Sequence, residues 1–498
     1  MPFNRLLIFL LISTTLAHAS DQKMTAAGQF SDLINAVKTP SAPSAGNISS
    51  VPAAEDTMVT YHIQDISFKG NILTRNRTIL REIPFAEGDS VPSAKLDSKV
   101  RAGRLNLMNT GLFNFVEAEI SLEGTMANIT YHFVERWNIW PLPVLELEGP
   151  NLNQWLDNPS FSAFNYGISL KAGNLSGLNE RIRLEAKAGN VQSLNIQLTS
   201  PFFGTSQFFR AELQYTLDRS RSRAYNTEDN KQLVARVPDE FISNEYLFSG
   251  SLRFRPAFYN TYRVGFSFHY HNYADTLLTL NPRFGPDGES RFSFFSASYS
   301  FSRDRRDRVA YPLHGYLIEA GITRKGLSFL GDKDMDITSL HGEIRRYTHL
   351  VEKWYGAWSI YGKWNEGTTL SYFDREGLGF NRSLVRGYED YVVDGHKFLI
   401  FKSNLKYNLL PEQAGEISFV PTEKFSKIHY ALYLNIFADI GIINDRHFHR
   451  DSNLSNRLLA ATGIGLDFHT YYDMVLRSEL SLNRHGEAGL FFHFAAPI

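Results

Sequence analysis

The stretch HYALYLNIFADIGII, residues 429–443, alternates apolar side chains with polar, aromatic or glycine positions along most of its length. Because successive side chains of a β-strand point to opposite sides, this pattern predicts a strand with two unlike faces. The carboxylate of Asp439 requires a polar environment, so we expect its face to line an interior space. One face carries Leu432, Leu434, Ile436, Ala438, Ile440 and Ile442, and the other carries Tyr433, Asn435, Phe437, Asp439 and Gly441.

Sixteen segments beyond residue 137 fit a strand pattern, and turn residues separate them. An even number of antiparallel strands brings both ends of such a sheet to the same side. The predicted strands are 138–148, 164–174, 180–190, 193–201, 207–217, 244–256, 262–273, 291–304, 315–326, 335–349, 354–365, 396–410, 428–443, 458–470, 474–484 and 486–496.

Hydropathy limits how this chain could enter a membrane. After the first twenty residues, no apolar run reaches the roughly 18 residues that a membrane-spanning helix needs. Aromatic residues make up 14% of the chain, and the mean hydropathy is only -0.25. A water-soluble β-sandwich could also have these values, but they favour a transmembrane β-barrel with apolar residues outside and polar residues inside.

Connection lengths agree with this interpretation, because bacterial barrels have short periplasmic turns and longer outer loops. The longer connections, which we expect at the outer side, are 149–163, 218–243, 274–290, 366–395 and 444–457. Residues 411–428 are an exception, since they predict a long connection on the periplasmic side.

The N-terminal 57 residues precede any strand pattern. Residues 1–19 have the three parts of a secretory signal peptide: a basic residue, an apolar run and a small-x-small cleavage site. Residues 24–37 allow a short amphipathic helix or an unstructured N-terminus, and residues 39–56 have the Pro/Ser/Ala-rich composition of a flexible linker.

Residues 58–136 predict a small α+β domain with the element order β-α-α-β-β. We expect Thr74 to cap a helix that ends near Glu82, and Ser93 to open a second helix that ends at Gly111. Two strands, 112–124 and 127–136, follow. With ISFKGN, GLFNFVEAEI and ITYHFVER at its joints, this segment resembles a POTRA domain, the periplasmic repeat of BamA/TamA-type outer-membrane assembly proteins.

Composition argues against several functional classes. With 51 Lys+Arg against 52 Asp+Glu and no basic block, no nucleic-acid partner is expected. The chain contains no Cys and no nucleophile motif, so we predict no enzyme. The pairs His269/His271 and His447/His449 lack a carboxylate placed by the sequence, so we predict no metal or cofactor site.

The last predicted strand ends in GEAGLFFHFAAPI. Its Glu487, Gly489, Phe492 and Phe494 resemble the C-terminal insertion signal of outer-membrane barrels. Four residues follow Phe494, whereas that signal usually ends on its aromatic residue.

Two further motifs carry the resemblance to the BamA/TamA-type superfamily. Val385-Arg386-Gly387-Tyr388 lies in the long outer connection after the eleventh strand, and Phe437-x-Asp439-x-Gly441 lies in the thirteenth. They resemble the family's Arg-Gly-aromatic loop tip, which folds back into the barrel, and the strand motif that faces it. Residues 304–322 and 461–468 resemble two further family segments.

A guanidinium in a narrow lumen needs a fixed carboxylate, and Asp439 has the right strand parity to provide it. The family commonly carries a second acid, a Glu, on the strand after the loop, but this chain has Ser403-Asn404-Leu405-Lys406 there. We therefore expect a simpler contact that depends chiefly on Asp439.

The resemblance implies a protein of the bacterial outer membrane that inserts barrel proteins or moves polypeptides across the membrane. Its expected partners are unfolded polypeptides, held at the POTRA edge and at the seam between the first and last strands, together with outer-membrane lipids. Pro141 and Pro143 suggest weak pairing at that seam, where the barrel would template a client or thin the bilayer. A dedicated two-partner secretion translocator and a passive porin-like channel remain alternatives.

Overall fold

The structure is a computed structural model that describes residues 59–147, 164–327, 335–367, 371–375, 377–379, 383–416, 427–445, 453–470 and 473–493. The predicted signal peptide, the segment 20–57 with its possible helix, His447, His449 and Phe494 lie outside these residues. Within the described ranges, no helix is both long and apolar enough to cross a membrane.

The first described domain is a four-stranded sheet packed against a long helix. Its strand order is β2-β1-β4-β3, and β1 runs parallel to β4. Leu96, Val100 and Leu107 lie on one face of the long helix and are buried against the sheet. The elements are β1 (Thr60–Lys69), α1 (Asn76–Leu80), β2 (Ser90–Pro92), α2 (Ser93–Asn109), β3 (Phe113–Glu123) and β4 (Met126–Glu135).

Two details of this domain differ from the prediction. The prediction of a Thr74 cap is wrong: Arg75 precedes α1 without a side-chain capping bond, and the Thr74 hydroxyl accepts a hydrogen bond from Asn174. The sequence also did not indicate β2, because three residues that run directly into a helix show no alternation.

The remaining strands form the predicted β-barrel, a sixteen-stranded antiparallel sheet in the described part of the chain. Neighbouring strands are consecutive in sequence, except that β9 pairs with β12. The barrel strands are β5 (Ile139–Leu147), β6 (Phe164–Gly173), β7 (Arg181–Ala188), β8 (Val191–Thr199), β9 (Phe209–Ser220), β12 (Ser243–Ala257), β13 (Asn260–Tyr273), β14 (Arg291–Asp304), β15 (Gly315–Lys325), β16 (Ile337–Val351), β17 (Trp354–Gly367), β18 (Lys397–Glu416), β19 (Lys427–Asn444), β20 (Leu458–Thr470), β21 (Met474–Asn483) and β22 (Ala488–His493).

The predicted alternation holds along β19. Ile440 is 44% exposed on the outer surface, whereas Asp439 is 1% exposed inside the barrel. Tyr433, Asn435 and Phe437 are also buried on the inner side. The lumen of this barrel is therefore filled by side chains and by segments that fold into it.

Strand length varies strongly around the barrel. The two ends of the sheet are short, with 9 residues in β5 and 6 in β22. Longer strands lie elsewhere in the sheet, where β18 has 20 residues and β19 has 18. The prediction of a connection spanning residues 411–428 is wrong in this respect, because β18 continues to Glu416 and β19 begins at Lys427.

We call the end of the barrel beside the small domain the near rim and the opposite end the far rim. Two far-rim connections that were expected to be loops contain regular structure. The connection after β9 forms a hairpin of β10 (Ser222–Glu228) and β11 (Lys231–Arg236), and the connection after β13 contains the short helix α3 (Asp275–Leu280).

Candidate functional site in the barrel lumen

The connection between β17 and β18 folds from the far rim into the lumen. Its Val385 and Tyr388 side chains are buried in an apolar cluster with wall residues such as Ile443 and Leu459. An antiparallel bridge between Leu378 and Val393 joins the two arms of the connection. We call residues 383–391 of this connection the lumen loop.

Arg386, at the tip of the lumen loop, is fully buried and is paired with Asp439 of β19. Its Nε donates to Asp439 Oδ2 at 2.8 Å, and its Nη2 donates to Asp439 Oδ1 at 2.6 Å. The backbone N–H of Arg386 also donates to Oδ2, at 3.2 Å. Two parallel side-chain bonds fix the orientation of the guanidinium as well as its position.

The other guanidinium hydrogens of Arg386 also have acceptors. Its Nη1 lies 2.8 Å from Asn404 Oδ1 and 3.1 Å from Glu479 Oε1, and its Nη2 donates to the carbonyl of Ser403 at 3.4 Å. The guanidinium carbon is 3.9 Å from the centre of the Phe437 ring. Arg386 therefore contacts three different strands of the wall.

The expectation that the contact depends on a single carboxylate is wrong. β18 contributes the neutral acceptor Asn404, and β21 supplies Glu479 as the second carboxylate. The alternation of β21 contained a signal for this residue. Leu476, Leu480 and Leu482 face outward, so Arg477 and Glu479 must face inward.

Small residues allow the lumen loop to lie against the wall. Gly387 has a φ of 84°, a conformation that favours glycine. A Cβ on Gly441 would lie 2.5 Å from Val385 Cγ2, and a Cβ on Gly463 would lie 2.5 Å from the Phe437 ring. The glycine of the Phe-x-Asp-x-Gly motif thus provides space for the loop.

A second buried charge cluster lies below the first. Arg477 of β21 donates to Asp467 of β20 through Nε at 2.6 Å and through Nη2 at 2.8 Å. The hydroxyl of Tyr311 donates to Asp467 at 2.8 Å. Glu479 connects the two clusters, because its Oε1 lies 3.1 Å from Arg386 and 3.7 Å from Arg477.

A comparison with protein families identifies most of this chain. Residues 174–470 match the Omp85 superfamily domain, which contains both the lumen loop and its partner strand. The chain belongs to the Omp85 superfamily. Residues 61–136 match a POTRA family described as "Surface antigen variable number repeat".

Two solved structures are similar to this chain at low sequence identity. CdiB from Escherichia coli has a TM-score of 0.52 and 13% identity, with 88% of this chain and 74% of that chain covered. BamA from Haemophilus ducreyi lacking POTRA domains 1–3 has a TM-score of 0.49 and 16% identity, with 87% and 83% covered. No curated protein matches the sequence.

In this Omp85 protein, the POTRA domain lies across the near rim. Arg75 and Thr78 donate to the carbonyl of Gly177 in the β6–β7 turn, at 3.0 and 2.9 Å. Glu82 accepts two hydrogen bonds from Arg255 at the end of β12, at 2.8 and 2.9 Å. The domain therefore contacts turns from separate parts of the rim.

Arg81 strengthens this contact. Its guanidinium lies 3.3 Å from the centre of the Phe202 ring, and its Nε donates to the carbonyl of Gln207 at 3.0 Å. Burial lowers the pKa of Arg81 to about 10, while Glu82 opposes the shift. Arg81 thus stays charged at neutral pH.

The connection between β14 and β15, residues 305–314, joins the POTRA domain to the lower charge cluster. Asn109 donates to the carbonyl of Asp307 at 3.0 Å and accepts from the backbone N–H of Val309 at 3.1 Å. Two residues further on, Tyr311 is buried against Asp467. We call residues 305–314 the near-rim segment.

The predicted C-terminal motif lies partly within the described residues. Gly489 and Phe492 are in β22, and Phe492 is 70% exposed on the outer surface. Glu487 precedes β22 and accepts a hydrogen bond from the Tyr391 hydroxyl of the lumen loop at 2.7 Å. Phe494 is outside the described residues, and the role of the motif as an insertion signal remains a prediction.

Proposed function

We propose that this protein lies in the bacterial outer membrane, with its POTRA domain in the periplasm, and there inserts barrel proteins or moves polypeptides across the membrane. Membership of the Omp85 superfamily supports the general activity. The outward-facing apolar side chains of strands such as β19 suit contact with lipid.

The observation that carries the proposal is the seam between the two ends of the barrel sheet. In the described residues, the strand ladder begins at β5 and finishes at β22, with no ladder between these two strands. Pro141 and Pro143 of β5 have no N–H to donate, and β22 has only 6 residues. Two edge strands of which one is short and the other lacks two backbone donors separate more easily than strands joined by a long ladder.

A client polypeptide would use this edge by strand addition. Main-chain hydrogen bonds bind an extended chain without requiring a particular sequence. The POTRA domain offers a second pair of sheet ends, at β2 and β3, for an unfolded client on its way to the seam. Both steps are non-covalent and need no cofactor.

The lumen loop would act as a latch in this mechanism. It fills the far half of the lumen and ties β18, β19 and β21 together through Arg386. Because β21 is the neighbour of β22, release of Arg386 would loosen the wall beside the seam. In the same role, Tyr388 and Val385 supply apolar anchors, while Gly387 and Gly441 provide space.

A crosslinking experiment tests the seam. The chain contains no Cys, so paired substitutions give a clean background. We expect Leu145→Cys with Leu490→Cys, which both face outward, to stop client insertion when they are joined by a short bismaleimide, and reduction of a cleavable linker to restore it. The matched control is Ile344→Cys with Ile360→Cys, which lie opposite each other in the β16–β17 ladder and should leave activity unchanged. Full activity of the crosslinked seam would refute its role.

Depletion of the protein, followed by proteomics of the outer membrane, separates the possible clients. Loss of many barrel proteins would indicate general insertion, and loss of one surface or secreted protein would indicate a dedicated translocator. If the barrel proteins and the surface or secreted proteins all keep their levels while small solutes enter the cell more slowly, the protein is a passive channel and the proposal fails.

A further inference from the structure

Three potential metal ligands meet at the near rim, away from the lumen loop. They are His429 at the start of β19, His469 near the end of β20 and Asp473 immediately before β21. One donor atom from each lies within 4.8 Å of the other two. Imidazole nitrogen and carboxylate oxygen together form a common ligand set for Zn²⁺.

The geometry of the fold holds these donors in place. Ala431 lies opposite His469 in the β19–β20 ladder, which brings His429 and His469 to the same end of the two strands. The ring of Tyr311 stacks on His469, with centroids 5.5 Å apart and an angle of 15°. His469 is buried, and its Nε2 has no hydrogen-bond partner among the described residues. A buried imidazole nitrogen without a hydrogen-bond partner destabilises the fold unless a ligand binds to it.

A cavity of about 280 Å³ gives an ion a route to these residues. It lies between the POTRA domain and the barrel, and His429 and Asp473 are both in its lining. On the POTRA side, the edge of the Phe115 ring faces the ring of His429, with centroids 6.2 Å apart. Glu412 lines the same cavity and is paired with Arg308 at 2.8 Å.

We propose that His429, His469 and Asp473 form a Zn²⁺ site at the boundary between the barrel and the POTRA domain. Tetrahedral Zn²⁺ holds its ligands about 2.0–2.2 Å away, so the three donors must each move inward by a fraction of an ångström to about one ångström. Small side-chain rotations achieve this, and water completes the coordination.

Arg136 competes with the metal. Its Nη2 lies 2.6 Å from Asp473 Oδ2, and its Nε donates to the carbonyl of Phe113 in the POTRA domain at 2.9 Å. Asp473 thus lies between two cations: the arginine that links it to the POTRA domain and the metal. Zn²⁺ bound to Asp473 withdraws negative charge from this ion pair and weakens the attachment of the POTRA domain at this part of the rim.

Metal binding to the purified full chain in lipid nanodiscs tests the site. A titration of Zn²⁺ against a chromophoric chelator should give one tight site, and Co²⁺ should give the visible absorption of a tetrahedral site. His469→Gln and His429→Gln should each weaken binding at least roughly tenfold, since even outer-shell changes cost that much. The control His314→Ala changes an exposed histidine of the near-rim segment and should have no effect.

Arg136→Gln distinguishes a metal site from a purely structural pair of histidines. Removing the competing cation should tighten Zn²⁺ binding by up to about fivefold, which is the upper range for a solvent-accessible ion pair. Absence of a tight site in the wild-type protein, or full affinity in both histidine variants, would refute the proposal. Unchanged affinity in Arg136→Gln would refute the competition with Arg136.

Discussion

The two charge clusters in the lumen use the same chemistry in different ways. In the upper cluster, the guanidinium of Arg386 belongs to the lumen loop, and the carboxylate of Asp439 belongs to the wall. In the lower cluster, Arg477 and Asp467 both belong to the wall, and the near-rim segment contributes only the neutral hydroxyl of Tyr311.

This difference determines how much free energy is needed to withdraw the lumen loop or the near-rim segment from the lumen. Withdrawal of the lumen loop would leave Asp439 in the lumen without its cation, and uncompensated buried charge is expensive. Withdrawal of Tyr311 would leave the Asp467–Arg477 pair intact. We therefore expect the far side of the lumen to be held firmly and the near side to be held weakly.

The largest effect should come from Arg386→Met, which leaves both Asp439 and Glu479 without this cation. We expect a loss of about 3–5 kcal/mol in the free energy of unfolding, as for other broken buried ion pairs, and a higher single-channel conductance as the lumen loop leaves. Urea unfolding in vesicles and planar-bilayer recordings measure the two effects. Wild-type values in both assays would show that Arg386 does not hold the loop.

Asp439→Asn and Asp467→Asn form a matched pair, because both remove a carboxylate that accepts two side-chain bonds from an arginine. Each should cost about 1.5–3 kcal/mol, the range for hydrogen bonds to charged groups. Only Asp439→Asn should raise the conductance, since only its arginine partner lies on a loop. Equal conductance changes in both variants would remove the distinction between the two clusters.

Glu479→Gln should have a smaller effect of about 1 kcal/mol, because the amide keeps one acceptor and Arg386 keeps Asp439. The informative measurement is a double-mutant cycle with Asp439→Asn. Since both side chains bind the same guanidinium, their effects on unfolding should not add. Simple additivity would mean that Glu479 acts independently of Arg386.

Tyr311→Phe should have the smallest effect, about 0.5–1.5 kcal/mol for one neutral donor. Conductance should stay close to the wild-type value, because the lumen loop keeps all its partners. Hydrogen exchange of residues 305–314 should increase, since their attachment to Asp467 is lost. A stability loss as large as that of Arg386→Met would contradict the weak attachment of this segment.

Local patterns in the sequence predicted much of the barrel. Alternation along each strand indicated the positions of sixteen strands, and the parity of β19 placed Asp439 inside. Strand ends were less certain, since β18 continues past Pro411 and through Gly415, residue types that usually end strands, and pairs there with the start of β19. This pairing maintains both strands there.

The missed residues depend on contacts between distant parts of the chain. Glu479 reaches Arg386 only because the lumen loop folds back beside β21, and no local pattern specifies that distance. The Tyr311–Asp467 contact joins residues separated by 156 positions. The alternation of β20 and β21 nevertheless indicated that the charged side chains of Asp467, Arg477 and Glu479 face the lumen.

The full set of partners around Arg386 has a further consequence for how the loop moves. All three nitrogens of its guanidinium donate to acceptors, and these acceptors lie on the three strands β18, β19 and β21. A small displacement would break several of these bonds at once and form none. We therefore expect the lumen loop to be either fully seated or fully released, with no stable position between.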